Sequence, residues 1–290
     1  MKILHSTTTS ARFTNGILNL SKLTPHAPAL IEGDCLEEMA RIPDNSVDLI
    51  LADPPFGSTR NPWDIPVPLP ELWKHYRRIL KPGGAVLLFA QVPFSCELGC
   101  SNLEWLRYSW IWEKSQGTGH LNSKKMPLKC HEEILVFYPQ LPIYDPQKTT
   151  GHPLKVSLAR HKANSKKNQS PCYGKADTFS DYASTERFPR SVLKFKSDKQ
   201  TASIHPTQKP VDLLAYLIRT YSKPGAVILD NVMGSGSTGV ACLMTGRCFI
   251  GIELNNKYFV AAKYRIMEAV WAEKIRIDSA TVPKARGHKK

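Results

Sequence analysis

The stretch Ala226-Val-Ile-Leu-Asp230-Asn-Val-Met-Gly234-Ser-Gly236-Ser-Thr-Gly239 decides the reading of this chain. Its apolar start, ending at Asp230, has the composition of a buried strand. Gly234, Gly236 and Gly239 then fit G-x-G-x-x-G at the point where a helix, extending to about Thr245, should begin. Glycines there let backbone approach a ligand closely and leave amides at a helix N-terminus. A second apolar strand, Arg247 to Ile252, ends at Glu253, 19 residues after Gly234. A carboxylate at that tip can accept both hydroxyls of a ribose, so the adenosine part of a cofactor is the expected ligand. The pattern alone leaves NAD, FAD and S-adenosylmethionine open. It equally describes a Gly-rich turn with a solvated Glu. No Gly-Lys-Ser/Thr follows, so this is not a phosphate-binding P-loop.

Working outward, a helix from Val211 to Tyr221 precedes the strand, and another from about Asn255 to Trp271 follows Glu253. Upstream, Val47 to Ala52, Ala85 to Ala90, Ser109 to Trp112 and Glu133 to Tyr138 read as further strands, with a helix from Pro70 to Leu80 among them. Strands alternating with helices imply an α/β fold with a mostly parallel sheet.

The first strand of that series runs directly into Asp53-Pro54-Pro55-Phe56. Two prolines hold the backbone extended and present a carboxylate and a ring at the sheet's carboxyl edge, where α/β folds bind ligands. Taken alone, this is also how a plain proline turn capped by Asp would look. The chemistry explains why these two residue types belong together. An exocyclic amine on adenine is a poor nucleophile because its lone pair is delocalised into the ring. Asp53 and the carbonyl of Pro54, accepting its two N–H bonds, could pyramidalise the nitrogen and stabilise the positive charge that develops on methylation. A base must leave the duplex to reach such a pocket, and Phe56 could replace its lost stacking.

Charge points the same way. The chain carries a net +14 over 290 residues, with 42% hydrophobic and 22% charged residues. Such a basic protein usually meets a polyanion. Between Asp145 and Gln200, twelve Lys or Arg stand against five Asp or Glu, so a fifth of the chain supplies half the surplus. That segment lacks apolar periodicity and is too long for an ordinary loop. Lys114, Lys162, Lys166, Lys167, Arg187 and Arg190 are the expected nucleic-acid contacts.

These motifs resemble the S-adenosylmethionine-dependent amino-methyltransferases of DNA, which modify adenine N6 or cytosine N4. The resemblance spans about residues 29 to 270. Six further stretches support it: Glu32-Gly-Asp34-Cys35, Asp44-Asn-Ser-Val-Asp48, Lys81-Pro-Gly-Gly84, Trp112-Glu-Lys114, His131-Glu-Glu133 and His205-Pro-Thr-Gln-Lys-Pro210. Catalytic turn first, basic segment next and glycine loop last is the order of the family's beta group. The resemblance implies a Rossmann-like methyltransferase fold with a mixed, mostly parallel seven-stranded sheet, a circularly permuted motif order and an inserted target-recognition segment. It implies S-adenosylmethionine as cofactor and double-stranded DNA as substrate. Asp53, where cytosine-modifying members usually carry Ser, favours adenine. It places Asp53, Pro54, Pro55 and Phe56 at the reaction, and Asp34, with Cys35 beside it, at the cofactor's adenine. Asp230, Met233, Gly234, Ser235, Gly236, Ser237 and Thr238 would face its methionine part. Glu253 and Leu254 would meet the ribose, and Thr207, Gln208 and Lys209 the methionine carboxylate. Two departures stand out: the loop reads Asp230-Asn-Val232 where the family usually has Asp-Pro-Phe, and the catalytic turn ends in Phe rather than Tyr.

The expected division is 1–28 as a lead-in, 29–144 as the catalytic half, 145–204 as the target-recognition insertion, 205–275 as the cofactor half and 276–290 as a basic tail. A cognate restriction endonuclease and a homodimer are further expected partners. No apolar run is long enough for a membrane span, and the start lacks a signal-peptide core, so a cytoplasmic, nucleoid-associated location is expected. Seven scattered cysteines give no zinc-ligand spacing, and no metal is expected. The remaining alternatives are methylation of cytosine N4 or of RNA, an NAD-dependent oxidoreductase, and a silent nucleic-acid-binding protein.

Overall fold

A computed structural model of the chain describes residues 13–58, 61, 64–159, 169–170, 174–175, 180–197 and 208–281. It divides into two compact units, Pro146–Arg190 and the remainder. In the larger unit, β1 (Ala29–Glu32) leads to α1 (Cys35–Met39), β2 (Val47–Ala52), α2 (Leu69–Ile79), β3 (Leu80–Ala90) and α3 (Phe94–Cys100). Strands β4 (Leu106–Thr118) and β5 (Lys129–Phe137) follow, then β6 (Val192–Phe195), α4 (Val211–Tyr221), β7 (Val227–Asp230), α5 (Ser237–Thr245), β8 (Cys248–Glu253) and α6 (Asn256–Thr281).

The strands form one sheet in the order β6-β4-β5-β3-β2-β7-β8-β1. Only β5 runs antiparallel to its neighbours. The expected mixed, mostly parallel α/β sheet is therefore present, but among the described residues it has eight strands rather than seven. The additional strand is β6, which pairs in parallel with β4, Val192 opposite Ile111. At the opposite edge β1 pairs with β8, Ile31 opposite Ile252.

Burial explains the layers. In β2 every side chain but Asp48 is buried, and the two faces alternate. Ile50 and Ala52 join a cluster with α1, α2 and α3, while Leu49 and Leu51 join one with α4, α5 and α6. A strand covered on both faces reads as a continuous apolar run. Helix α2 buries Leu69, Leu72, Trp73, Tyr76 and Ile79 at three- and four-residue spacing, the stripe a helix turns toward a sheet. Asp48 is held at the strand's start, where its Oδ2 accepts from Lys81 Nζ at 2.8 Å and from the Val227 amide at 2.8 Å.

Gly239 fixes how closely α5 approaches its neighbours. A Cβ there would lie 2.5 Å from Ile266 Cδ1 on α6 and 2.8 Å from the Phe249 ring on β8. Gly239→Val is expected to cost about 3 kcal/mol through overpacking, read as a lowered urea midpoint at unchanged m-value. An unchanged midpoint would remove this packing role.

Two expected boundaries differ, and the expected lead-in is tied to the rest of its unit. The lead-in is not loose where it is described. Phe13–Thr14 pairs with Ile17–Leu18, the Arg41 guanidinium lies 3.7 Å over the Phe13 ring, and Leu18 is buried and donates to Arg41 O at 2.8 Å. The insertion expected at 145–204 is a compact unit only over Pro146–Arg190, because Val192–Phe195 belongs to the sheet. The final helix extends to Thr281, ten residues past the expected end and into the expected tail.

The smaller unit has no buried side chain over residues 146–159 and 180–190. It is built from short antiparallel pairs, Lys155–Ser157 with Tyr182–Ser184 and Gln169–Ser170 with Gly174–Lys175. Charge and backbone contacts hold it: Lys148 pairs with Glu186 at 3.0 Å, and Arg187 Nη1 donates to the carbonyls of Ser184 and Glu186 at 3.0 and 2.7 Å. No described helix is long and apolar enough to cross a membrane.

Candidate active site

The parallel strands bring Asp53, Asp230 and Glu253 to one edge of the sheet, at the ends of β2, β7 and β8. Together they border a cavity of about 330 Å³. The Asp53–Phe56 turn and the 232–235 loop line the same space, with Ser237, Thr238, Gln208 and Lys209. Trp112, Lys114 and the stretch 115–118 from β4, with Glu132 from β5, complete it. The two motifs read separately from sequence thus share one chamber.

On the loop side, Gly234 and Gly236 adopt φ of +50° and +74°, the left-handed region that favours glycine. The Gly234 amide donates to Glu253 Oε2 at 2.9 Å, and the Asn255 amide to Glu253 Oε1 at 2.8 Å, which fixes that carboxylate at the rim. Burial pushes its proton affinity up. Asp230 accepts from Thr238 Oγ1 at 2.6 Å and from the Val232 amide at 3.2 Å. Burial nonetheless pushes its carboxyl up to about 7, the hydrogen bonds from Thr238 and Val232 opposing the shift and the nearby Asp53 and Glu253 reinforcing it. Such an acid attracts a positively charged ligand. From α6, Arg265 Nη1 donates to Ser237 Oγ at 2.8 Å and to Ser235 O at 3.1 Å, bracing the loop.

In the turn, Pro54 is buried and Phe56 stacks on Phe94, centroids 5.1 Å apart. The Gly57 amide donates to Asp64 Oδ1 at 2.9 Å, closing the turn behind the ring. Asp53 Oδ2 accepts from Lys209 Nζ, whereas Asp53 Oδ1 is buried with no hydrogen-bond partner. A buried acceptor left without a partner is costly unless a donor is supplied. Burial raises the Asp53 carboxyl above the usual range, Lys209 opposing and Glu132 reinforcing the shift.

Several expected site residues stand elsewhere. Asp34 caps α1, its Oδ1 accepting from the Leu36 amide at 2.8 Å, and it does not line the cavity. Cys35 is packed in the core, does not line the cavity, and burial pushes its thiol up to about 11. Leu254 points to solvent, 69% exposed. Lys209, expected at the cofactor's carboxylate, is instead turned onto Asp53 and Glu132. Lys114, expected on a phosphate, is largely buried and paired with Glu132 at 2.6 Å. Arg187 is committed to carbonyls inside its own unit, whereas Arg190 is exposed. Thr207, Lys162, Lys166 and Lys167 lie outside the described residues. The loop departure is accommodated: Asn231 is buried and accepts from Tyr76 OH at 2.6 Å, and Val232 lines the cavity where the family usually carries Phe.

Glu132, Trp112, Gln91 and Asp64 line the cavity and had not been singled out for the site. Glu132 and Trp112 lie inside quoted motif stretches, and an acid two residues before the buried run Ile134–Phe137 of the same strand is the signal that could have found Glu132.

A doubly covered, mostly parallel sheet with a glycine loop and an acid-proline turn facing one chamber defines a small group of α/β proteins. The chain belongs to the DNA methylase family, which matches residues 47–264. It is 31% identical over 252 residues to the DNA adenine methyltransferase YhdJ of Escherichia coli, covering 80% of each chain. It is 29% identical over 275 residues to the type II methyltransferase M.HinfI of Haemophilus influenzae, covering 82% of this chain and 68% of that one. Among solved structures the fold matches M1.HpyAVI in its SAM complex, with a TM-score of 0.54 and 22% identity over 82% of this chain and 98% of that one. It also matches the cytosine-N4-specific PvuII DNA methyltransferase, at 0.57 and 16% over 88% and 95%.

Proposed function

We propose that this protein is an S-adenosylmethionine-dependent methyltransferase acting on adenine N6 in double-stranded DNA. One observation carries this reading: Asp53, which lines the same chamber as the glycine loop, has a buried Oδ1 with no hydrogen-bond partner. The chamber suits the cofactor. Gly234 to Ser237 would take its amino-acid part, Asp230 would offset its cationic centres, and Glu253 would take its ribose. When bound, S-adenosylmethionine supplies a methyl group on a sulfonium, which leaves as a neutral thioether.

The chain's own residues prepare the amine. Asp53 Oδ1 and the Pro54 carbonyl accept the two N–H bonds, drawing the nitrogen out of conjugation. As the new bond forms, the nitrogen becomes positive and sheds one proton, for which Oδ1 is the placed acceptor. Phe56 offers a face to a base that has left the helix. The relationship to an adenine methyltransferase and the Asp at position 53 favour adenine over cytosine.

The 146–190 unit is the proposed reader of the target site, with Arg190 and Lys155, both exposed, on phosphates. The test is expression in a methylation-free host followed by sequencing of modified bases. N6-methyladenine at one sequence context is expected; N4-methylcytosine, or no mark, sinks the adenine reading. Exchanging residues 146–190 for the corresponding segment of M.HinfI should change the context and keep the base, and an unchanged context removes the reader role. A restriction endonuclease cutting the same context unmethylated is the protein partner this reading expects. Host extracts that leave the unmethylated site uncut count against it.

A further inference from the structure

Four charged side chains from four parts of the chain alternate in sign at the back of the chamber. Lys209, just before α4, places its ammonium on Asp53 Oδ2 and 3.3 Å from Glu132 Oε2. Glu132 Oε1 in turn meets Lys114 Nζ at 2.6 Å. Lys209 is 9% exposed and lies 5.0 Å over the Phe89 ring; Lys114 lies 5.3 Å over Trp112. Two anions and two cations cancel.

Each member answers a physical requirement of an acceptor at Asp53. A buried carboxylate without a cation would take up a proton and cease to accept N–H bonds. A carboxylate paired with a lysine of its own would be held more tightly and would be a weaker base. Sharing Lys209 with Glu132 leaves Asp53 part of one ammonium, and Lys114 keeps Glu132 ionised so that the sharing persists. Lys114 also acts on Asp53 directly, and Asp230 is a further charged group coupled to it. The Lys209 contact occupies Oδ2 alone, which orients the carboxylate and leaves Oδ1 without a hydrogen-bond partner.

We propose that Lys209, Glu132 and Lys114 are positioning residues, a shared ion network that orients Asp53 and keeps it an ionised acceptor, and that Lys209 does not hold the cofactor. The role of Oδ1 rests on the reaction proposed above; the network itself does not.

The test follows the Asp53 side-chain carboxyl by NMR in the cofactor-free chain with 13C-labelled aspartate, its resonance identified by its loss in Asp53→Asn. The same variants are assayed for single-turnover methylation against pH and for equilibrium cofactor binding. Lys209→Met should move the Asp53 titration up by at least about one unit. The acid limb of the rate profile should move with it, with at least about a tenfold loss at neutral pH that recovers at alkaline pH. Glu132→Gln, which gives Lys209 to Asp53 alone, should move both downward. Cofactor affinity should stay within about threefold throughout, against the tenfold or greater change that losing a direct charge pair brings.

If Lys209→Met does not fold, the charge-balanced double variant Lys209→Met, Glu132→Gln replaces it, with an upward shift expected. Folded variants whose Asp53 titration does not move overturn the network. A loss of cofactor affinity larger than the loss of rate overturns the assignment of Lys209. A wild-type chain that leaves adenine unmodified overturns the proposed reaction and the role of Oδ1, while the titrations still decide the network.

Discussion

Asp53→Ala is expected to lower methyl transfer at least about 10³-fold, with cofactor affinity almost unchanged. The magnitude combines loss of a preorganised acceptor for developing positive charge with loss of the proton's destination. The separation of rate from binding follows from place: Asp53 ends β2, whereas the loop amides and Glu253 belong to β7, α5 and β8. Folding should survive, because Lys209 retains Glu132 at 3.3 Å when Asp53 is gone. Asp53→Asn keeps one acceptor oxygen and should fall between the two. Single-turnover methyl incorporation into DNA, with cofactor binding by calorimetry, separates these outcomes. Wild-type turnover in the alanine variant would remove Asp53 from the reaction.

Asp230→Asn should stabilise the cofactor-free chain and weaken its hold on the cofactor. The Asp230 carboxyl is raised from an ordinary 3.8 to about 7 by burial. Its folded pKa lies above its unfolded one, so its contribution to stability is fully present below about pH 4 and is lost as pH rises through 7. The asparagine resembles the protonated acid and loses nothing over that window. It can still accept from the Val232 amide and donate to Thr238 Oγ1. Its advantage should therefore grow from nothing near pH 4 to at most about 4 kcal/mol at pH 8, raising Tm by several degrees. The cofactor's positive charges would lose their counter-charge, and affinity should fall about tenfold or more. Thermal unfolding at pH 4, 6 and 8 reads the first effect. A Tm difference that does not depend on pH would show that ionisation is not its cause.

Much of this architecture was legible because it is local. The apolar runs of β2, β3, β7 and β8 are buried on both faces and read as continuous strands. The glycine loop and the Asp53 turn each announce themselves within a few residues. What escaped was non-local or short. Only the central Ser109 to Trp112 of β4 was apparent, because its thirteen residues are polar toward both ends, where the strand is exposed. Strand β6 is four residues, Val-Leu-Lys-Phe, inside a basic segment, and only the partner β4 makes it a strand. Lys114 and Lys209 lie 18 and 77 residues from Glu132, so neither spacing nor charge pattern shows their pairing. The lysines looked like hands for anions outside the protein; the fold supplies the anions from within.

The edge pairing of β1 with β8 has a consequence for synthesis. Ile31 meets Ile252, so the strand that leaves the ribosome early waits for a partner more than 200 residues later. The central pairing of β2 with β7 is nearly as distant, Leu49 opposite Ile228. Contacts so remote in sequence form slowly, because a long loop must close before they reward it. A nascent chain stopped before β7 can fold its hairpin of β4 and β5, yet its Asp-Pro-Pro-Phe turn faces no glycine loop. On the proposed reaction, the half that would handle the base is made first and should stay inert until the half that would carry the methyl donor arrives, so truncated products should not mark DNA.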